Sequence, residues 1–131
     1  MPATFSCITE GIRVNVHTTY VPDESSPKHK HFVFAYMIEI TNESPYPVQL
    51  RSRVWHIVDA LGGRRHVEGE GVVGEQPVIA PGERYSYVSG SHFPTPIGQM
   101  KGHYRMQRLV DGGQLEVAIP AFTMTVPCLL N

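Results

Sequence analysis

The chain has 131 residues, 11 Lys+Arg against 12 Asp+Glu, and a formal net charge of −1. That length implies one domain, 1–131, with a core of its own. The balanced charge excludes a uniform pull on nucleic acid or on anionic lipid. No apolar run approaches the roughly 20 residues that cross a bilayer, and the first residues lack the basic-then-apolar order of a secretory signal. The expectation is a cytoplasmic chain with no membrane partner. Its two cysteines, Cys7 and Cys128, then read as reduced thiols rather than a terminal staple.

In chain order, Met1–Glu10 shows no clear period and Gly11 ends it. Ile12, Val14 and Val16 alternate with Arg13, Asn15 and His17, the period of a half-buried strand. Asp23–Lys30 is polar and reads as an exposed loop. Phe32, Phe34, Tyr36, Ile38 and Ile40 then fall on one face and Val33, Ala35 and Met37 on the other, which marks the centre of a sheet. Asn42–Pro47 is a turn cluster with two prolines.

Val48 and Leu50 alternate with Gln49 and Arg51, but Val54, Trp55, Ile57 and Val58 do not share one parity; a bulge near Val54–Trp55 accounts for the switch. Gly62-Gly63 predicts a type I′ hairpin turn, which needs positive φ at both central residues. Arg64–Glu68 returns antiparallel, and a Gly-x-Gly-x-x-Gly run at Gly69, Gly71 and Gly74 follows. After Pro81-Gly82, Tyr85, Tyr87 and Ser89 alternate with Arg84, Ser86 and Val88, and Gly90–Gly98 reads as a loop. Met100–Leu109 sets Tyr104 and Met106 opposite Lys101, His103 and Arg105, and Asp111-Gly112-Gly113 is a second hairpin turn. Leu115, Val117 and Ile119 share one face. Beyond Pro120, Phe122, Met124 and Val126 resume on the opposite parity, so the last strand bends or lies on an edge there.

About seven short strands with turn signals and no helical period give an all-β sandwich of two antiparallel sheets. Ile12, Val14, Phe32, Phe34, Tyr36, Ile38, Trp55, Tyr104, Leu115, Val117 and Phe122 are its expected core. At roughly 1.5–3 kcal/mol for each large apolar side chain buried, that set needs no cofactor to oppose the ordering entropy.

The glycine run invites a dinucleotide reading, but no helix has room to start before Gln76-Pro77, so that reading fails. Two readings stay open. Backbone amides of Gly69, Gly71 and Gly74 form an anion nest beside Arg64 and Arg65, opposed by Glu68, Glu70 and Glu75; or the glycines serve a sharp strand crossing. His29 and His31, two apart, reach one side of an extended segment, yet Lys28 and Lys30 repel a cation. Ser86, Ser89 and Ser91 near His92 lack a nucleophile elbow, and Glu68 with Glu70 reads as a solvated face. No catalytic residue, metal ligand or cofactor is expected. Trp55, Tyr85, Tyr87 and Phe93 are either core or a partner patch.

Trp55-His56-Ile57, the run Val67–Pro77, Pro81-Gly82-Glu83, Tyr87–Gly90, Gly98–Tyr104 and Ile119–Phe122 together resemble the bacterial ApaG family over nearly the whole chain. The resemblance implies an immunoglobulin- or fibronectin type III-like sandwich. It also implies kinship with modules of some F-box proteins and of a DNA polymerase delta-interacting protein, and carries a label of cobalt and magnesium efflux without a mechanism. No catalytic residues come with it.

The expected function is a non-enzymatic module for protein–protein interaction. Its partner is an unidentified protein, or a second copy joined through a sheet edge such as the apolar end Phe122–Leu130. The alternatives are phosphate or pyrophosphate binding at Arg64, Arg65, Gly69, Gly71 and Gly74, or an accessory role with divalent cations. No nucleic-acid partner is expected.

Overall fold

Period-two burial sorts the chain into two layers. The computed structural model describes residues 3–127. Its strands are β1 (Ala3–Thr9), β2 (Ile12–Tyr20), β3 (Phe32–Asn42), β4 (Val48–Asp59), β5 (Arg64–Glu70), β6 (Val78–Ile79), β7 (Arg84–Phe93), β8 (Ile97–Arg108) and β9 (Gln114–Thr125). One sheet has the order β1-β2-β3-β7 and the other β5-β4-β8-β9, with β6 continuing the β5 side of β4. All pairings are antiparallel. The two facing layers make a β-sandwich, and every residue of the expected core is buried in it.

β3 is an interior strand, as its two apolar faces required. β1 was invisible in sequence because its half-buried face is Ala3, Phe5, Cys7 and Thr9, while Ile8 points outward. The bulge in β4 lies at Arg51, where the register with β8 shifts between Leu50 and Ser52, not at Val54–Trp55. Val54 and Trp55 are both buried, yet only Trp55 joins the central core; Val54 is covered on the other face, which mimics a break in parity. At Pro120 both expectations hold. β9 is an edge strand, and its register with β8 shifts so that Met100 faces Phe122 while Gly102 faces Ile119. Buried residues accordingly move from Ile119 to Phe122. β7 runs on to Phe93 and β8 begins at Ile97, so the expected loop shrinks to Pro94–Pro96.

The Gly62-Gly63 turn is not type I′: Gly62 alone is left-handed, at φ +85°. Asp59 organises it instead, accepting hydrogen bonds from the amides of Leu61 (2.8 Å) and Gly63 (3.1 Å). The type I′ geometry occurs at Val72–Glu75, with φ +45° at Val73 and +80° at Gly74 and the Glu75 amide donating to the Val72 carbonyl at 2.9 Å. Cys128 and Leu130 lie outside the described residues, so the terminal staple and the far part of the Phe122–Leu130 edge do too.

Asn42, read in sequence as part of a turn, is fully buried. Its Nδ2 donates to the carbonyls of Tyr46 (2.7 Å) and Ile79 (2.9 Å), and its Oδ1 accepts from the Ser44 amide and hydroxyl. Its backbone receives the Gly82 amide and donates to the Glu83 carbonyl. One residue therefore clamps two of the three inter-sheet crossings, β3 to β4 and β6 to β7. Asn42→Ala takes the side-chain donor from the Tyr46 and Ile79 carbonyls and opens a void. It is expected to lower stability by about 3 kcal/mol, read as a lower urea midpoint with the slope unchanged.

Candidate functional site

The two long sides of the sandwich differ. On one, β1 and β9 close against each other: Cys7 Sγ donates to the Ala118 carbonyl at 3.2 Å, the Ala118 amide donates to Thr9 Oγ1 at 3.2 Å, and the Phe5 ring lies 6.1 Å from that of Phe122. On the other, β5 and β7 are the terminal strands of different sheets, and a groove runs between them. It comprises three adjoining cavities of about 350, 290 and 260 Å³. Tyr36, Trp55, Arg53 and Ser89 line its middle, and Val72 and Tyr87 one end.

Two contacts strap the groove without closing it. Arg65 reaches across from β5 to donate Nη2 to the His92 carbonyl at 2.7 Å, its guanidinium 5.7 Å from the Phe93 ring centre. At the far end the Tyr85 hydroxyl donates to Glu75 at 2.9 Å. Arg53 lies over Gly69, where a Cβ would come within 2.8 Å of its Nη1, and it donates to the carbonyls of Glu70 (3.0 Å) and Gly71 (2.9 Å). Gly69 thus makes room for a guanidinium rather than for a ligand backbone. Below the groove the Tyr87 and Tyr104 hydroxyls share a 2.5 Å hydrogen bond. Burial holds both phenols well above the ordinary tyrosine range, and Tyr36 is pushed up in the same way. Of the aromatics left open in sequence, Trp55, Tyr87 and Phe93 are core, and Tyr85 is half-buried at the rim.

The structure divides the anion site expected in sequence. Arg64 and Arg65 begin β5, while Gly71 and Gly74 lie beyond its other end, roughly 20 Å away at strand spacing. In the loop, the Gly71 amide donates to the Arg51 carbonyl (2.8 Å), and Val72 and Glu75 exchange amide–carbonyl bonds. Gly71, at φ +61°, is required by space as well, since a Cβ would sit 2.1 Å from the Glu75 carbonyl oxygen. Arg64 and Arg65 instead line a cavity with Lys30, His31 and His92, residues that no local sequence pattern joins.

Other polar constellations lie outside the groove. His29 and His31 do not share one side of an extended segment, because His29 ends a 3-10 turn (Pro27–His29) and Lys30 is left-handed. A hydroxyl–imidazole–carboxylate row exists that sequence reading missed. Thr4 Oγ1 lies 3.1 Å from His17 Nδ1, His17 Nε2 is 2.8 Å from Glu39, and Arg84 Nη1 bonds Glu39 at 3.2 Å. It crosses β1, β2, β3 and β7 on the face turned away from the core, as a cross-strand ladder. His56 and His66 face each other across β4 and β5, and His66 pairs with Glu68, which also pairs with Arg105. Among the described residues no three His, Cys, Asp or Glu side chains converge to hold a metal ion. No helix among them is long and apolar enough to cross a membrane.

Comparison with known proteins agrees over most of the chain. A family model, the ApaG domain, matches residues 22–108. Protein ApaG of Methylobacterium sp. (strain 4-46) is 52% identical over 119 residues, 91% of each chain. Protein ApaG of Enterobacter sp. (strain 638) is 47% identical over 118 residues, 90% of this chain and 94% of its own. The crystal structure of an ApaA protein from Bordetella pertussis superposes with a TM-score of 0.85 at 42% identity, covering 93% of this chain and 95% of that one.

Two measurements test the geometry of this region. Phenols held above the ordinary tyrosine range in the folded state stay protonated where unfolded tyrosines ionise. The phenols' contribution to folding stability should therefore be level below about pH 9 and be lost as pH rises through 10 and beyond. Tyrosinate absorbance of the folded protein should reach only part of the six-tyrosine total until unfolding releases the rest. Separately, Val73→Asn relieves a β-branched residue at φ +45° and is expected to raise stability by about 1 kcal/mol in thermal or urea unfolding.

Proposed function

The chain belongs to the ApaG family, and from that membership and the groove we propose that it is a non-enzymatic cytoplasmic module that binds an extended segment of a protein partner between β5 and β7. The observation that carries this is the unpaired outer edge of β7. β7 pairs with β3 alone, and the stretch from Tyr87 to Ser91, short of the His92 carbonyl that Arg65 holds, borders the groove for about 13 Å at strand spacing. An extended peptide laid there gains a row of backbone hydrogen bonds, while the groove receives its alternate side chains. The β1 and β9 edges offer no such ladder, because they are packed on each other.

Charge points to the kind of segment. Arg53 and Arg65 line the middle of the groove without a carboxylate among its lining residues, and Ser89 and Ser91 add hydroxyls. An acidic segment fits that lining, and electrostatic steering would speed its capture. Two observations support a non-enzymatic role. The Thr4–His17–Glu39 row stands on the face away from the groove, and the paired phenols are buried and held protonated.

A photo-crosslinker installed at Ser89 or Ser91 is expected to give the same adduct with a partner in bacterial cells, and one at Ser6, on the outward face, to give none. Equal labelling at Ser6, or no adduct from either groove position, contradicts the proposal.

A further inference from the structure

We propose that the cavity at the β5-start end of the groove binds a phosphate group carried by a small solute, through Lys30, His31, Arg64 and His92. This site is independent of the partner reading and does not involve the glycine loop. The cavity measures about 350 Å³, larger than a bare phosphate ion, so the group that carries the phosphate has room beside it.

Three cations border the cavity, from Lys30, Arg64 and Arg65, with Asp59 as the one carboxylate. Asp59 is committed to its turn, where Oδ1 takes two amide hydrogen bonds. Arg65 is committed to the His92 carbonyl. Lys30 and Arg64 have no ion-pair partner among the described residues. The His31 and His92 rings stand 5.4 Å apart at the same cavity, and each imidazole has an N–H to donate. Two uncommitted cations flanked by two imidazoles suit a tetrahedral dianion, which takes donors from several directions; a planar monocarboxylate is satisfied by one guanidinium.

Backbone geometry makes the same point. Lys30 sits at φ +56°, ψ +46°, where glycine is at ease and lysine is strained. The fold over-determines it. The Lys30 amide donates to the Pro27 carbonyl (3.0 Å), and Ser26 and His31 exchange amide–carbonyl bonds at 2.7 and 3.0 Å. Residues held in strain by their surroundings gather where a side chain has a task. The strain here sets an ammonium at the rim of the cavity. On the far side of His31 a neighbouring hollow contains Glu24, which bounds the cationic region on that side.

Lys30→Gly removes the cation while easing the backbone, so it should fold at least as well as the parent. Arg64→Gln removes the second cation at an exposed strand start. Inorganic phosphate is titrated into the full chain at fixed pH and ionic strength, followed by amide NMR, with acetate as the comparison ion. Saturable shifts confined to Lys30, His31, Gly63, Arg64 and His92 are expected, with a dissociation constant in the millimolar range, roughly −4 kcal/mol. Each variant should weaken binding by about fivefold or more, since each loses a direct charge contact. No saturable shift, an equal response to acetate, or an unchanged constant in both variants overturns the proposal.

Discussion

Asn42 is the constraint on which the rest of the molecule depends. Its buried side chain joins the end of β3 to the start of β4 through Tyr46 and to β6 through Ile79, and its backbone holds Gly82 and Glu83 on the way to β7. Because the chain leaves β6 in one sheet and enters β7 in the other through this clamp, β5 and β7 become the terminal strands of opposed sheets. A buried amide with its donors and acceptors satisfied specifies such a crossing more sharply than apolar packing does, since any other register leaves polar groups unpaired.

The asymmetry of the two sides follows. β1 and β9 come together through Phe5, Phe122 and the Cys7–Ala118–Thr9 hydrogen bonds, and that edge is used up. The β5 and β7 edges are held at a distance by Arg65 and Tyr85. A long unpaired edge is an aggregation hazard unless its surroundings restrain it. Arginines along the groove and the exposed Arg84 at the start of β7 do so by charge; the proposed preference for an acidic segment rests on the same charges. The cavity lined by Lys30, Arg64 and Arg65 continues that positive lining at one end.

Much of the fold was legible in sequence, because two-sheet burial writes a period of two wherever large apolar residues alternate. β2, β3, β7, β8 and β9 all showed it. β1 did not, since its inward Ala3, Cys7 and Thr9 are small while Ile8 faces out. The parity switch at Pro120 was legible because proline cannot continue the ladder. The one at Arg51 was displaced to Val54–Trp55 because Val54 is covered on the opposite face. The site was less legible. Glycines are visible as letters, but whether their amides are free depends on partners such as the Arg51 and Glu75 carbonyls. Lys30, His31, Arg64 and His92 come from three separate segments and meet only once β5 and β7 are placed.

β7 presents an unpaired, accessible edge to the groove. Amide hydrogen exchange of the free domain, resolved by residue along β7, tests it most directly. Alternate β7 amides, those not bonded to β3, should exchange rapidly while their neighbours are protected as strongly as the interior of β3. Uniform protection along β7 would mean that the edge is already closed and that no peptide can add to it.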